Sequence, residues 1–384
     1  QYMISSWASF ASSLLIFLLL IPSFLYGFKI TKLWFIGFIG SLIPRQDVYI
    51  LRIFSGIFLG LFEYGLVLMS FIITYFATKI LISLLIDSKR VVLDYHKEGK
   101  KFVAYPGGPA LIIGLISSLV LAFVITNDIR IIAILGVVII SSAIGLVDDF
   151  RTLGGRKKPL ILVLASLPII LLGTYEPNLN FLFFGSVKLS IIYPLLILIS
   201  IPVTANTINT IDVLNGVSTG FVIITSIPLL ILLVLMGDSN MVLVTLILIS
   251  VCLAFFVFHR YPSKIFPGDS GTLTIGAMYG AIAIVGGIEL IGVFAILPAI
   301  LNSFFYLASM RDFVEHKNIK VRPTRVLSDG TIEAESNENA PITLVRLIVA
   351  GNPSKELPIV NTIFVLSLIS AVLATIMGVL TWMI

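Results

Sequence analysis

Residues 129–158 read IRIIAILGVVIISSAIGLVDDFRTLGGRKK. From Ile129 to Val147 the only charge is Arg130, close to the start, and the rest is apolar or small. A helix of that length rises about 28 Å, close to the ~30 Å hydrocarbon core of a bilayer. The run stops at two adjacent carboxylates, Asp148 and Asp149, and Arg151, Arg156, Lys157 and Lys158 follow at once. Apolar chain of spanning length that ends abruptly in charge marks a membrane boundary, and the same pattern recurs on both sides of it.

Candidate spans fall at 65–86, 105–125, 129–147, 159–173, 187–205, 217–236, 241–258, 271–287, 291–310 and 358–383. The expectation is therefore an all-α polytopic membrane protein of about ten transmembrane helices, with a small extramembrane loop. Composition agrees: 58% of the 384 residues are hydrophobic and 12% charged, against roughly 25% charged in soluble domains. The net charge of +5 reads as topology signal and phosphate or lipid contact rather than nucleic-acid binding. Cys252 stands alone in an apolar run, which leaves no internal disulfide and no cysteine-rich metal cluster. The loops at 87–105, 148–159, 206–215, 259–270 and 311–357 hold eighteen Lys and Arg, and the alternate loops only Arg130 and Lys188. The rich side is expected to be cytoplasmic. Residues 65–384 form the spanning domain. Residues 1–64 are a separate hydrophobic extension, either one or two further spans or residues from upstream of a start at Met69; the stretch from Ala8 to Tyr26 lacks the basic start and small-residue exit of a cleaved signal.

Nearly all the polar chemistry lies on the basic side. Asp148 and Asp149 repel each other unless a cation or proton is shared, although a bare pair also fits a solvated step balanced by the basic residues after it. Asn206, Asn209 and Asp212 step by three, with Asn215 continuing the series, so that one helical face would carry an oxygen-rich stripe suited to a hard cation. A helix-ending turn at Asn215-Gly216 is the plainer reading. Phe266-Pro267-Gly268-Asp269-Ser270-Gly271 precedes the eighth span; its glycines permit close backbone approach and Asp269 falls at a helix N-terminus, where phosphate or a simple cap both fit. Arg322-Pro323-Thr324-Arg325 offers two guanidinium forks to a diphosphate or to anionic lipid. Ser328-Asp329-Gly330-Thr331 reads as a hairpin turn, and Tyr105-Pro106-Gly107-Gly108-Pro109 as a turn or ligand entry. His96, His259 and His316 are dispersed and read as surface residues.

In this order the three central motifs resemble those of the polyprenyl-phosphate N-acetylhexosamine-1-phosphate transferases: the aspartate pair, the N-x-x-N-x-x-D-G-x-[DN]-G segment and the F-x-G-D-[ST]-G loop. The likeness extends over about residues 66–384. Val213 stands where a glycine often follows the aspartate, and the last loop lacks the histidine-rich segment of the bacterial cell-wall branch. The chain is more similar there to the eukaryotic and archaeal branch that starts lipid-linked oligosaccharides for N-glycosylation from UDP-N-acetylglucosamine. The resemblance implies Mg²⁺, or Mn²⁺, on Asn209 and Asp269, with Lys158 at phosphate near Asp148. Asp148 and Asp149 would position or deprotonate the lipid phosphate. Phe266 and Asn215 would face the uracil and Arg322 and Arg325 the sugar and diphosphate; Tyr105, Gly108, Asn206, Asp212 and Gly268 complete the implied substrate site. UDP-sugar and polyprenyl phosphate are the implied partners, a homodimer the implied assembly, and the archaeal plasma membrane or endoplasmic reticulum the implied location. A transporter, or a relative acting on another UDP-sugar or on undecaprenyl phosphate, is the competing reading.

Overall fold

The computed structural model describes residues 48–95, 101–181, 185–310 and 321–383. The chain divides into two units, Gln1–Tyr64 and Gly65–Ile384; the expectations for residues 1–47, and those for His96 and His316, fall outside the described residues. Helix α1 (Val48–Asp87) is followed by hairpin β1 (Val91–Leu93) and β2 (Phe102–Ala104), then α2 (Gly108–Thr126) and α3 (Ile129–Phe150). A broken stretch holds α4 (Lys157–Leu162), a 3₁₀ turn and α5 (Leu167–Leu171), and a second hairpin holds β3 (Asn178–Phe181) and β4 (Gly185–Lys188). Next come α6 (Tyr193–Ile211), α7 (Val217–Met236), α8 (Ser239–His259) and α9 (Gly268–Val285). The chain closes with α10 (Glu289–Ala295), α11 (Leu297–Met310), hairpin β5 (Thr324–Val326) and β6 (Ile332–Ala334), α12 (Leu344–Ile348) and α13 (Glu356–Met383). The protein is an integral membrane protein. In lipid no water can serve the backbone, so long apolar segments must satisfy their own N–H and C=O groups as helices.

Among the described residues seven helices are long and apolar enough to cross a membrane, or eight if the pair α10 and α11, bent by 68°, is one span. The expected ten are thus reduced, for identifiable reasons. In the stretch 159–173, Pro168 withdraws a backbone donor and the chain breaks into two helices and a 3₁₀ turn. The span expected at 187–205 is shifted to Tyr193–Ile211, because β4 takes its start and Pro194 opens the helix. Helix α9 is not among the seven: its Gly-Asp-Ser-Gly-Thr start dilutes its apolar character, and it needs little, because Ser270 to Val285 are all buried in protein. It packs chiefly on α3 and α6 and also touches α2, α7 and α8. Between helices in lipid, close packing of small residues replaces hydrophobic drive. At Gly145 of α3 an added Cβ would lie 2.5 Å from the Ser270 Cα, so the first turn of α9 can lie directly on the last turns of α3.

Candidate active site

The end of the bundle where α3 stops and α9 starts gathers the motif residues. Lys158, in the first turn of α4, forms ion pairs with both Asp148 and Asp269, the latter at 2.9 Å. Asn209 Nδ2 donates to the same Asp269 Oδ1 at 2.6 Å, and the Leu153 N–H donates to Asp148 Oδ1 at 2.6 Å. Asp148 is almost wholly buried, whereas Asp269 keeps 21% of its side chain exposed. Burial works against the Lys158 charge, but the Asp269 and Asp148 carboxylates outweigh it and hold the ammonium above its usual range. One cation, two carboxylates and a carboxamide from four elements thus meet, three of them contributed by motifs more than fifty residues apart.

Asp149 faces the other way and has a different task. Its Oδ1 accepts from the Tyr105 hydroxyl at 2.8 Å and from the Asp269 N–H at 2.8 Å, while its Oδ2 accepts from the Ser270 N–H at 3.1 Å and from the Ser270 hydroxyl. No side chain of the preceding segment caps α9; the cap comes from α3. Orphan N–H groups at a helix start require acceptors, and Asp149 supplies them while fixing the backbone of Asp269. The adjacent aspartates are therefore not equivalent: one pairs with Lys158 and the other holds the helix that carries Asp269. Burial and the Asp149 charge push the Tyr105 phenol well up, so it stays a donor. Gly268 has φ +70°, and a Cβ there would lie 2.8 Å from Asp149 Oδ1 and from Pro106 Cβ. This position needs glycine on both counts.

The expected stripe is only partly built. Asn206 donates back to Pro202 O within α6 at 2.8 Å and Asn209 reaches Asp269, but the helix ends at Ile211. Asp212 is its cap residue, accepts from the Ser218 N–H at 3.2 Å and has its carboxyl pushed by burial up to about 7. Asn215 lies beyond the helix end, is buried, and bonds to Asp94, Glu356 and the Ser263 N–H. The series therefore does not continue to Asn215. Gly108 is a packing residue: its N–H donates to Pro267 O at 2.7 Å and a side chain there would strike Ser270. Phe266 is fixed by backbone bonds to Ala104 and Gly107 and meets His259 edge-on at 6.2 Å. Arg322 and Arg325 are not brought into the cluster: Arg322 lies 4.0 Å over the Tyr95 ring and Arg325 pairs with Glu333 across the hairpin at 3.0 Å.

His259 corrects the sequence reading. It is buried, its Nδ1 lies 3.1 Å from Thr219 Oγ1 and its Nε2 lies 3.8 Å from Asp212. Position at the end of an apolar span suggests exposure, but α8 delivers the ring beneath the Phe266 loop. Ser270, Asp94 and Glu356 were also missed; only Ser270 sits in a quoted motif, and nothing in the local pattern points to the other two.

The model of glycosyl transferase family 4 matches residues 131–287, from α3 through α9. The chain is 29% identical over 313 residues to a provisionally named glycosyltransferase of Methanocaldococcus jannaschii, covering 81% of this chain and 94% of that one. It is 26% identical over 327 residues, covering 82% and 96%, to a Sulfolobus acidocaldarius protein provisionally named UDP-N-acetylglucosamine--dolichyl-phosphate N-acetylglucosaminephosphotransferase. A phospho-N-acetylmuramoyl-pentapeptide-transferase of Streptococcus thermophilus is 26% identical over 252 residues, 58% of this chain and 74% of its own. The matched region holds Asp148, Asp149, Lys158, Asn209 and Asp269. The match to glycosyl transferase family 4 over residues 131–287 and the similarity to these relatives support the polyprenyl-phosphate N-acetylhexosamine-1-phosphate transferase superfamily that the motifs resemble.

Proposed function

We propose that the protein transfers N-acetylglucosamine-1-phosphate from UDP-N-acetylglucosamine to a polyprenyl phosphate of the dolichyl type, releasing UMP, with the site on the cytoplasmic face. The observation that carries the reading is the convergence of Lys158, Asp148, Asn209 and Asp269 at the end of the bundle. That end is also the Lys- and Arg-rich one. In the reaction an oxygen of the lipid phosphate bonds to the sugar-bearing phosphorus, the bond from that phosphorus to the bridging oxygen breaks, and UMP leaves with the electron pair. A lipid phosphate is already largely ionised at neutral pH, its second pKa being about 6, so no strong base is required. Asp149 is engaged as a cap and Asp148 with Lys158, and neither is placed as a base in waiting. Their work is positioning: Asp149 sets Asp269, and Asp148 orients the Lys158 ammonium, which neutralises charge on the transferring phosphate.

Among the described residues no group of three or more His, Cys, Asp or Glu gathers in metal-binding range. The oxygens of Asp269 and Asn209, with Asp148 close by, form a hard donor set that suits Mg²⁺ completed by substrate phosphate oxygens. The two carboxylates that flank Lys158 are consistent with a place where positive charge is held. Asp269 and Asn209 would hold the ion, which when bound draws charge from the diphosphate. Asp212 and Phe266, both beside His259, would then face the nucleotide. The test is UMP release by the purified chain from UDP-N-acetylglucosamine, dolichyl phosphate and Mg²⁺. Release that needs lipid and metal is expected; no release across a panel of UDP-sugars and polyprenyl phosphates discards the proposal.

A further inference from the structure

Asn215 joins stretches of chain that are far apart in sequence. Its N–H donates to Glu356 Oε1 at 2.8 Å, its side-chain amide to Asp94 Oδ2 at 3.2 Å, and its side-chain oxygen accepts from the Ser263 N–H at 2.6 Å. Asn215, Asp94 and Glu356 are 2%, 3% and 3% exposed. An acid heading an apolar span has water within easy reach, and burying a carboxylate is costly. Here Glu356 is buried instead, in the first turn of α13, where the helix dipole favours a negative charge. Two residues before it, Ser354 exchanges backbone hydrogen bonds of 2.8 and 3.0 Å with Ile332 of β6. The same short segment therefore holds the hairpin carrying Arg325 and, through Glu356, the turn that follows Asn209 and Asp212.

We infer that Glu356 is a positioning residue for the nucleotide-sugar: its carboxylate, bonded to the Asn215 N–H, fixes the Asp212–Gly216 turn relative to the β5–β6 hairpin before the diphosphate arrives. The ligand's identity rests on the function proposed above; the coupling of turn and hairpin does not. Glu356→Gln keeps an acceptor for the Asn215 N–H, whereas Glu356→Ala leaves that N–H without it. With the full purified chain, E356A should raise KM for UDP-N-acetylglucosamine by about tenfold, the order expected for one hydrogen bond to a charged acceptor. Its kcat should stay within about threefold and its KM for dolichyl phosphate within about twofold, and E356Q should restore most of the nucleotide-sugar KM. An unchanged KM in folded E356A overturns the inference. So does a uniform loss of kcat and both KM values with a lowered melting temperature that Gln does not rescue. If E356A is not recovered folded, Glu356→Asp, one methylene shorter, takes its place with the same expected rise. Should the wild type release no UMP, the proposed reaction fails on its own, and calorimetric titration with UDP still decides Glu356. Weaker binding by E356A, restored in E356Q, supports the inference, and equal binding by all three rejects it.

Discussion

The two ends of α3 carry clusters of almost the same composition and opposite character. At the start Arg130 lies between Asp128 and Asp238, with Asn240 beside them; at the finish Lys158 lies between Asp148 and Asp269, with Asn209 beside them. The eighteen residue steps from 130 to 148 set them about 27 Å apart along the helix. Arg130 closes its cluster as a fork, Nε and Nη2 on Asp128 at 2.9 and 2.7 Å and Nη2 on Asp238 at 2.9 Å. Both acids there also cap helices, Asp128 for α3 and Asp238 for α8. That arrangement is a finished fastening between two turns. Lys158 is instead a compact point charge on a flexible stem, and the acid it shares with Asn209 is partly exposed beside Gly268. Residue types alone do not separate a fastening from the proposed phosphate site; the shape of the cation and the second duties of the acids differ between the two ends.

The largest effect should come from crossing the comparison. Asp269→Asn is expected to lower UMP release by about a thousandfold, the order seen when one preorganised electrostatic group is removed. The matching Asp238→Asn should leave kcat of the folded enzyme within about twofold. Equal losses of turnover at the two ends would erase the distinction. A second, smaller effect separates the paired aspartates. If Asp149 acts as a cap, Asp149→Asn keeps one acceptor and should lower kcat by about tenfold, the weight of charge-assisted hydrogen bonds, without moving the pH–rate profile. Loss of one limb of that profile would assign proton removal to Asp149. Third, Arg130→Lys should cost about 2 kcal/mol of stability by breaking the fork, read as a lower melting temperature with kcat unchanged, while the reciprocal Lys158→Arg should lose activity at little cost in melting temperature.

Much of this was legible in the sequence. Spans with charged edges give the bundle, the Ser328–Thr331 turn is the hairpin turn expected, and Gly268-Asp269-Ser270-Gly271 does open a helix. What was not legible is relational. That Asp149 caps α9 depends on Gly145 letting α3 touch Ser270, a contact across 125 residues of sequence. The three-residue stripe fails at Asn215 because the helix ends at Ile211, and period alone does not locate a helix end whose cap is Asp212. His259 looked exposed because it ends an apolar run, yet the Phe266 loop covers it. The ten expected spans exceeded the helices found because hydropathy cannot distinguish a span from a proline-broken stretch such as Lys157–Leu171, and α9 is buried in protein rather than lipid.

The smallest effect sharpens the structural side of the comparison by pH. Burial opposes ionisation of Asp128, but hydrogen bonds from the Arg130 side chain and N–H and from Asn240 prevail, so its carboxyl is held below the usual carboxylate range. A carboxylate whose folded pKa is depressed contributes stability above its unfolded value, near 4, and loses that contribution as pH falls through the folded value. The melting temperature of the wild type should therefore exceed that of Asp128→Asn most clearly between about pH 5 and 8 and converge on it below about pH 4. Taking the difference between the two proteins removes the titration of every other acid they share. A gap that stays constant down to about pH 3 would mean that Asp128 contributes shape and hydrogen bonds but not charge, and the fork at Arg130 would then depend on Asp238.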